Sequence, residues 1–462
     1  MKLKKFNAMV LSTVMIIGSL TGCGGTSSST KTSQDTKADV VETENTVSTE
    51  NTDTENTDTG NKSFEGVTLT MLKDSDTPDS GLNVVLEKAT EKLGMKFEIE
   101  TRVGGADGDN IVKTRLASGD MADICLYNSG SLLTALFPSE YFIDISDQEF
   151  ASRLDDTYKE TVTVDGATYG IPFSSSQAGA ILYYKPDYEE LGLEVPKTWD
   201  EFLANCDTLQ KAGKTAMIGT FGDSWTSQVM YLGDNYNVLS QNTDFAKAFE
   251  AGEAKYATTP AGLKSFQKLV DVKEFYNEDY LAATYDDGCD MIANGEGTHW
   301  VMLTQALSNI YELYPEAMDK IGAFAIPGDD AQDNGITVWM PSSLYGNKNS
   351  ENTDAILAFM DYYTSDEAID AYTSAVLPDG PYCIKGYELP DNAYAAVKDD
   401  MQAYFAAGKT AVALEFLTAV KGSNCAAICQ EVGSGQTTAQ EAAQAYDDDC
   451  KKQAVQLGLE WK

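Results

Sequence analysis

Histidine is nearly absent from this chain, since His299 is the only one among 462 residues. A single imidazole cannot form a histidine-rich metal site, and it leaves Ser-His-Asp or Cys-His catalysis dependent on His299 alone. The surrounding residues 295–299 read as a turn, which favours a place in a turn or on a cleft wall over a catalytic role. The sequence therefore predicts no catalytic residue, no metal site and no cofactor.

Basic residues are also scarce, because 33 Lys and Arg stand against 72 Asp and Glu, a formal net charge of −39. Such a chain repels phosphate backbones and anionic lipid headgroups, which excludes nucleic-acid binding and a polybasic membrane-binding surface. The charge also argues against an anionic ligand. With 42% hydrophobic and 10% aromatic residues, the chain still has enough apolar surface for two or more folding units.

Long apolar runs are missing beyond the N-terminus. Residues 1–22 combine three lysines at positions 2, 4 and 5 with the short apolar segment 8–20, which predicts an export signal. The sequence Leu-Thr-Gly-Cys ending at Cys23 resembles a bacterial lipobox, which implies a lipoprotein signal peptide and acylation (palmitate) of Cys23. A plain signal peptide that happens to contain a cysteine is the alternative.

Residues 23–63 contain the anchored cysteine and then mostly Ser, Thr, Asn, Asp and Glu. A segment with so few apolar side chains cannot bury enough surface to offset the entropy of ordering. We therefore expect a disordered, acidic, Ser/Thr-rich tether between a lipid anchor and the folded body.

The folded body begins with alternating strand and helix patterns. These patterns predict a strand at 67–72, a helix at 81–93, a strand at 96–103, a helix at 110–118 and a strand at 121–127. This order predicts a parallel α/β sheet. Ligands of such sheets bind beyond the carboxyl ends of the strands, which points to residues 74–76 and 127–129.

A second α/β unit begins near residue 177. Thr198 and Glu201 form the pattern of a capping box, so they predict the start of a helix. The other predicted elements are a strand at 180–184, a helix from Thr259-Pro260, strands at 300–303, 321–326 and 336–340, helices at 352–363 and 366–372, and a helical C-terminal part over 393–459.

Five segments in order resemble the family 1 extracellular solute-binding proteins. They are residues 111–124, residues 169–172 with 182–185, residues 195–202, residues 295–300 and residues 355–368. The similarity extends from about residue 66 to the C-terminus. Two features depart from the family pattern: Asp74-Ser75-Asp76 stands where an apolar or aromatic residue is common, and the chain is unusually acidic.

This resemblance implies an α/β fold of two lobes, like that of periplasmic binding proteins, with crossing hinge strands and a helical C-terminal part. One lobe would comprise 64–174 plus 341–378, and the other 175–340 plus 379–462. The crossings would fall near 172–177, 339–342 and 378–383.

The function implied by the resemblance is that of a non-catalytic lipoprotein receptor of an ABC importer. It would capture a sugar or oligosaccharide between its lobes and deliver it to the permease subunits of the transporter. It would work as a monomer on the extracellular face of the cytoplasmic membrane, held there by lipid on Cys23. The runner-up is a surface-anchored glycoside hydrolase with paired carboxylates, but among 72 acidic residues some pair always looks well placed.

The family's pattern also suggests which side chains contact a ligand. Aromatic faces pack against the C–H faces of sugars, while polar groups bind the hydroxyls. For the aromatic residues a place in the core is the alternative, and for the polar ones an ordinary solvated loop. The candidate ligand-binding residues are Trp300, Trp225, Trp339, Tyr127, Asn128, Asp74, Asp76 and Asp223.

Eight cysteines are present. With Cys23 lipidated, seven remain, so at least one thiol is unpaired. We expect free, buried thiols, since such thiols survive outside a cell in an anaerobic habitat.

Overall fold

The structure is a computed structural model that describes residues 63–75 and 77–462. The signal peptide, Cys23, the predicted tether up to residue 62 and Asp76 lie outside the described residues. Within the described part, the chain alternates strands and helices from Thr68 to Gln456.

The strands are short and mostly buried. Those of the described residues are β1 Thr68–Asp74, β2 Lys96–Arg102, β3 Ile124–Tyr127, β4 Thr163–Val164, β5 Ala167–Thr168, β6 Gly170–Pro172, β7 Gln177–Tyr184, β8 Met217–Ile218, β9 His299–Leu303, β10 Ile321–Ala325, β11 Ile336–Trp339, β12 Ser343–Gly346 and β13 Thr410–Val412.

The helices cover the faces of the sheets and form most of the C-terminal part. They are α1 Ser80–Leu93, α2 Gly105–Ser118, α3 Ser131–Thr134, α4 Pro138–Tyr141, α5 Asp156–Thr161, α6 Lys185–Leu191, α7 Trp199–Lys211, α8 Val229–Gly233, α9 Asn235–Gln241, α10 Phe245–Glu250, α11 Pro260–Asp271, α12 Tyr285–Asn294, α13 Ala306–Leu313, α14 Thr353–Tyr363, α15 Asp366–Ala375, α16 Gln402–Ala406, α17 Leu414–Leu417, α18 Cys425–Gly433 and α19 Ala439–Gln456. Short 3₁₀ turns occur at Glu149–Arg153, Ser224–Gln228, Lys273–Phe275 and Pro315–Lys320, and a π-helical turn at Ala396–Met401.

The first sheet has the strand order β2-β1-β3-β12-β6. β1 lies parallel to both β2 and β3, so the predicted βαβαβ unit is confirmed. β12 runs antiparallel to β3 and β6 and enters from a distant part of the chain. Because β1 and β3 are parallel neighbours, the segments after Asp74 and Tyr127 emerge at the same edge of this sheet.

The second sheet is organised around β7. β9 pairs with one edge of β7 in antiparallel fashion, and β10 and β11 share the other edge. β8 extends the sheet beside β9 and β13 extends it beside β11, both in parallel. β7 is therefore the central strand, and its burial on both sides explains its nearly continuous apolar sequence.

Three stretches connect the two sheets. Residues 173–176 join β6 to β7, and residues 340–342 join β11 to β12. The third leaves α15, pairs with the first stretch through Ser175 and Tyr382, and continues to the π-helical turn, where Asp400 accepts a 2.9 Å hydrogen bond from Ala323 N on β10. The space between the sheets is thus bordered by these three connections.

Local sequence signals agree with the structure at most helix starts. The predicted capping box of α7 is present, with Thr198 accepting from Glu201 N and Glu201 accepting from Thr198 N. α2 begins at Gly105, five residues before its predicted start, and the edge strand β13 was not predicted. β13 has three residues and forms a strand by pairing with β11, which is distant in sequence.

The cysteines of the described residues are free and buried, as expected. All seven in the described part, Cys125 to Cys450, are unpaired and buried. Burial raises the pKa of thiols such as Cys125 and Cys206, so these thiols stay protonated and unreactive at neutral pH.

In the part of the chain that the structure describes, no helix is both long and apolar enough to cross a membrane.

Candidate ligand-binding cleft

A cleft of about 390 Å³ lies where the three connections between the sheets meet. We call it the central cleft. It is lined by Thr77, Pro78, Phe173, Ser174, Ser175, Gln177, Trp339, Met340, Pro341, Ser342, Tyr372, Val376, Leu377, Pro378, Asp379 and Tyr382. Its wall combines aromatic rings with a few polar groups, a composition typical of small-molecule sites.

The loop after β1 forms one rim of the central cleft, and the buried side chain of Lys73 stabilises this loop. This lysine is 1% exposed, and its Nζ donates to the carbonyl oxygens of Asp74 and Thr77 at 3.0 and 2.7 Å. An ion pair with Asp79, 2.8 Å away, completes its contacts. Three partners within one short loop fix the backbone that carries Thr77 and Pro78.

Asp74, a predicted ligand residue, is engaged within this same loop. One carboxylate oxygen accepts from Thr77 N at 2.8 Å and from Thr77 Oγ1 at 2.9 Å. These two hydrogen bonds, from a residue three positions later, close a turn in the loop. Asp74 therefore shapes the loop, while Asp76 lies outside the described residues.

Trp339 is the one predicted ligand-binding residue that lines the central cleft among the described residues. Its indole Nε1 donates to Glu415 Oε1 at 2.6 Å, and Lys421 pairs with the same carboxylate. The ring packs over Gly179, where an added Cβ would lie 2.7 Å from Trp339 Cζ3. Glycine at position 179 thus makes room for the ring, and the ring is held at a fixed angle.

Aromatic side chains from α15 and its neighbours form another part of the wall. Tyr372 lies across Gly81, where a Cβ would be 2.6 Å from the ring, so α1 and α15 approach closely. The ring of Phe173 meets Tyr372 edge-on with centroids 5.8 Å apart. Tyr382 shares a 2.8 Å hydrogen bond between its hydroxyl and Thr373 Oγ1. These contacts fix the orientation of the rings before any ligand arrives.

Among the described residues that line the central cleft, Asp379 is the charged one. Ser308 Oγ on α13 donates to Asp379 Oδ1 at 2.5 Å, and Tyr394 OH lies 3.3 Å from the same serine oxygen. Burial raises the pKa of the Asp379 carboxyl to about 7, although the hydrogen bonds from Ser308 act in the opposite direction. Asp379 thus titrates near neutral pH.

Tyr127 is the last residue of β3 and Asn128 comes directly after it, and both contact neighbouring residues of the protein. Tyr127 is 1% exposed, and its ring lies 5.6 Å from the guanidinium of Arg102. Asn128 is half-buried, and its backbone carbonyl oxygen accepts a hydrogen bond from Tyr345 OH at 3.0 Å. Neither belongs to the lining of the central cleft.

Trp225 and Asp223 lie together elsewhere on the second sheet's side. Tyr285 N donates to Asp223 Oδ2 at 2.7 Å, and the rings of Trp225 and Tyr285 are 5.4 Å apart. Both predicted residues are half-buried beside the start of α12. They form a separate aromatic and acidic group, outside the lining of the central cleft.

Trp300 lies in the core of the described structure. It is 1% exposed, its ring is 5.4 Å from that of Tyr285, and it fills the space that a side chain at Gly288 would need. Strand β9, which carries it, is covered on this face by α12. In this conformation Trp300 therefore offers no face to a ligand, and the core alternative describes its place.

His299 is also a core residue, and its predicted place in a turn or on a cleft wall was wrong. It begins β9 and is fully buried. Its Nδ1 lies 2.8 Å from the carbonyl oxygen of Ala216, and its Nε2 lies 2.7 Å from Tyr188 OH. Burial lowers its pKa to about 3. A neutral imidazole with Nδ1–H donating and Nε2 accepting satisfies both contacts.

Sequence reasoning missed Asp379, Tyr372 and Tyr382 as cleft residues. The available signal was the segment Pro378 to Pro381, a Pro-Asp-Gly-Pro turn within a predicted crossing. An acidic residue inside a hinge crossing is held close to the space between the sheets. The tyrosines carried no comparable signal, because helical periodicity identifies only their buried face.

The sequence also matches a family model for bacterial extracellular solute-binding proteins over residues 73–370, well over half of the chain. The chain belongs to the bacterial extracellular solute-binding proteins. The predicted fold class, a two-lobed α/β fold of this type, is thereby confirmed. The central cleft lies between the two sheets of this solute-binding protein.

Known relatives of this solute-binding protein include sugar-binding proteins. The multiple sugar-binding protein of Streptococcus mutans is 26% identical over 341 residues, covering 71% of this chain and 77% of the relative. Apo RafE from Streptococcus pneumoniae is 21% identical with a TM-score of 0.69, covering 84% of this chain and 98% of RafE. RafE in complex with raffinose is 21% identical with a TM-score of 0.62, covering 84% of this chain and 100% of that chain.

Proposed function

We propose that this solute-binding protein captures a sugar or oligosaccharide in the central cleft and delivers it to the permease subunits of an ABC importer. The observation that carries the proposal is the cleft itself, which presents fixed aromatic rings beside hydrogen-bonding groups at the junction of two sheets. A sugar-binding relative in Streptococcus mutans and a structural neighbour in complex with raffinose support a carbohydrate as the solute.

The chemistry of the lining suits a sugar. Trp339, Tyr372 and Tyr382 are held in place by neighbouring residues, so their faces are ready to pack against pyranose C–H groups without further loss of entropy. Gln177 and Asp379 supply hydrogen-bonding groups for hydroxyls. The other predicted residues, including Trp225, Asp223 and Asn128, stay proposals for an extended or closed form of the site.

Closure of two lobes around the ligand is the proposed mechanism. We assign 64–174 plus 341–378 to one lobe and 175–340 plus 379–462 to the other, with the three connections as hinges. The walls of the central cleft include residues of both parts, for example Thr77 and Gln177. A ligand that contacts both lobes stabilises the closed form, because only closure makes all of its contacts at once.

The proposed location is the extracellular face of the cytoplasmic membrane. Residues 1–22 would be removed, Cys23 would carry the lipid, and residues 24–63 would act as tether to a monomeric receptor. The net charge of −39 supports this arrangement, because it holds the folded body away from anionic headgroups.

We further propose that the protein catalyses no reaction. Glycoside hydrolysis requires two carboxylates on either side of the scissile bond. Among the described residues that line the central cleft, Asp379 is the only acidic one. The hydrolase alternative therefore has no support from the cleft, and the relatives are binding proteins.

A thermal-shift screen followed by calorimetry tests the proposal. Raffinose, stachyose, maltose, cellobiose and chitotriose form the panel, since a ligand that binds only the folded state must raise the melting temperature. We expect Trp339→Ala to weaken binding of the best sugar at least tenfold, about 1.4 kcal/mol. Trp461→Ala is the matched control, because this ring packs against Phe249 and lies outside the lining of the central cleft.

Two results would contradict the proposed function. One is the absence of any shift across the panel, and the other is the appearance of shorter sugars on chromatography after incubation with the protein. Unchanged affinity in Trp339→Ala would remove Trp339 from the site without removing the receptor function.

A further inference from the structure

Asp379 occupies an unusual electrostatic position. It is the only charged residue among the described residues lining the central cleft, and aromatic and aliphatic side chains make up much of that lining. Ser308 is its hydrogen-bond donor, through a 2.5 Å contact to Oδ1. A carboxylate in such surroundings has lost much of its hydration, so a new hydrogen-bond donor in the cleft would strongly favour its ionised form.

Among the described residues, four tyrosines interact electrostatically with Asp379, and all four stay neutral around neutral pH. The tyrosines that sense its charge are Tyr285 on α12, Tyr372 on α15, and Tyr382 and Tyr394 on the third connection. Burial raises the pKa of all four, to about 12 for Tyr372 and Tyr394. They stay neutral between pH 5 and pH 9, whereas the pKa of Asp379 is raised to about 7.

His299, the only histidine of the chain, does not contribute to a pH dependence near neutral pH. Burial lowers the pKa of His299 to about 3, so it carries no charge near neutral pH. A ligand-binding event with a midpoint near pH 7 would therefore report on the carboxyl group in the cleft.

We propose that Asp379 is the acceptor for hydroxyl groups of the solute, and that capture of a neutral, hydroxyl-rich solute releases the proton that Asp379 holds in the empty cleft. This inference rests on the proposed function as a solute receptor. The carboxylic acid gives its proton to the solvent, and the solute hydroxyls then donate hydrogen bonds to the resulting carboxylate. No covalent bond of the solute changes.

The same geometry sets the class of ligand. Hydroxyl groups donate to a carboxylate, and charge-assisted hydrogen bonds of this kind are stronger than neutral ones. A solute carboxylate placed here would instead face a like charge and would require Asp379 to stay protonated. The cleft should thus prefer neutral sugars over sugar acids, and its affinity for neutral sugars should rise with pH.

Calorimetric titration with raffinose tests this inference. Raffinose has no group that titrates between pH 5 and pH 9, so pH dependence belongs to the protein. We expect about tenfold tighter binding at pH 8.5 than at pH 5.5, because the ionised carboxylate accepts hydrogen bonds from hydroxyls more strongly than the protonated group does. At pH 7.0, heats in phosphate and Tris buffers should differ by the release of about half a proton per protein. If another sugar of the panel binds more tightly than raffinose, that sugar replaces it.

Three variants make the assignment specific. Asp379→Asn keeps the shape and a hydrogen-bond acceptor for Ser308 but should bind with no pH dependence and no proton release. Ser308→Ala removes a donor that favours the ionised form, so the midpoint of the pH profile should move upward. Asp448→Asn changes an exposed carboxylate on α19, so its pH dependence of binding and its proton release should equal those of the wild type.

The outcomes separate the two claims. If no sugar of the panel binds, the proposed receptor function fails and this inference fails with it. If a sugar binds with equal affinity at both pH values and releases no proton, the assignment of Asp379 is overturned while the receptor function stands. If Asp379→Asn does not fold, an unshifted midpoint in folded Ser308→Ala overturns the assignment.

Discussion

The buried imidazole of His299 should make the fold sensitive to mild acid. Its ordinary pKa of 6.5 is lowered to about 3 in the folded protein. A lowered pKa means that the unfolded chain binds the proton more tightly than the folded one. The stability that follows is fully present above pH 6.5 and is lost as the pH falls toward 3.

The magnitude follows from these two pKa values. Between pH 7 and pH 5 the folded protein keeps His299 neutral while the unfolded chain takes up the proton, which lowers the free energy of unfolding by about 2 kcal/mol. The value is large because the ring is fully buried, and burial outweighs the hydrogen bond to the carbonyl oxygen of Ala216, which acts in the opposite direction. Protonation would also remove the hydrogen bond that Nε2 accepts from Tyr188 OH, so this hydroxyl would have to rotate and accept instead.

Urea unfolding of wild type and His299→Gln at pH 7, 6 and 5 measures this contribution. The wild type alone does not isolate it, because the raised pKa of Asp379 acts with the opposite sign over the same range. The difference in the free energy of unfolding between the two proteins isolates this contribution, and it should shrink by about 2 kcal/mol between pH 7 and pH 5. Tyr188→Phe is the control, since it removes a contact of the ring but keeps the imidazole. Parallel curves for wild type and His299→Gln would refute the reasoning.

Two further predictions concern packing and buried charge. Gly179→Ala should lower the free energy of unfolding by about 1–3 kcal/mol and weaken sugar binding. The reason is that the new Cβ would lie 2.7 Å from Trp339 Cζ3 and 2.9 Å from Gly233 Cα. Unchanged stability in urea unfolding would contradict this prediction. Lys268→Met should lower the free energy of unfolding by about 3–5 kcal/mol, because it leaves Asp234 buried without the cation 2.5 Å away. In the same assay, a loss below about 1 kcal/mol would contradict this prediction, since the remaining hydrogen bonds of Asp234 would then suffice.

Much of the fold was predictable because its signals are local. The capping box at Thr198 and Glu201 defines the start of α7 from four consecutive residues, and the alternation over β1 to β3 defines the first sheet. β13 could not be found this way. Its three residues become a strand only by pairing with β11, which lies more than 70 positions earlier in the chain.

The site was less predictable than the fold for the same reason. Trp225, Trp300 and Trp339 were all predicted to contact the ligand, yet among the described residues only Trp339 lines the central cleft. The two residues Trp300 and Trp339 differ in what packs over them. Helix α12 packs over Trp300 at Gly288, whereas Trp339 lies at the end of β11, which opens into the space between the sheets. Which helix packs over a strand depends on tertiary structure, and the hydrophobic pattern of the sequence does not predict it.

Buried carboxylates in this acidic chain show why Asp379 differs from the rest. Asp234 receives hydrogen bonds from Lys268, Ser265 and Asn237, and Asp187 from Lys214 and Thr298. These groups have several donors each, from within the protein. Asp379 has donors from Ser308 alone among the described residues and faces a cleft. A buried carboxylate with too few donors either holds a proton or gains donors from outside. A hydroxyl-rich solute supplies those donors, so the empty site holds a proton that the filled site gives up.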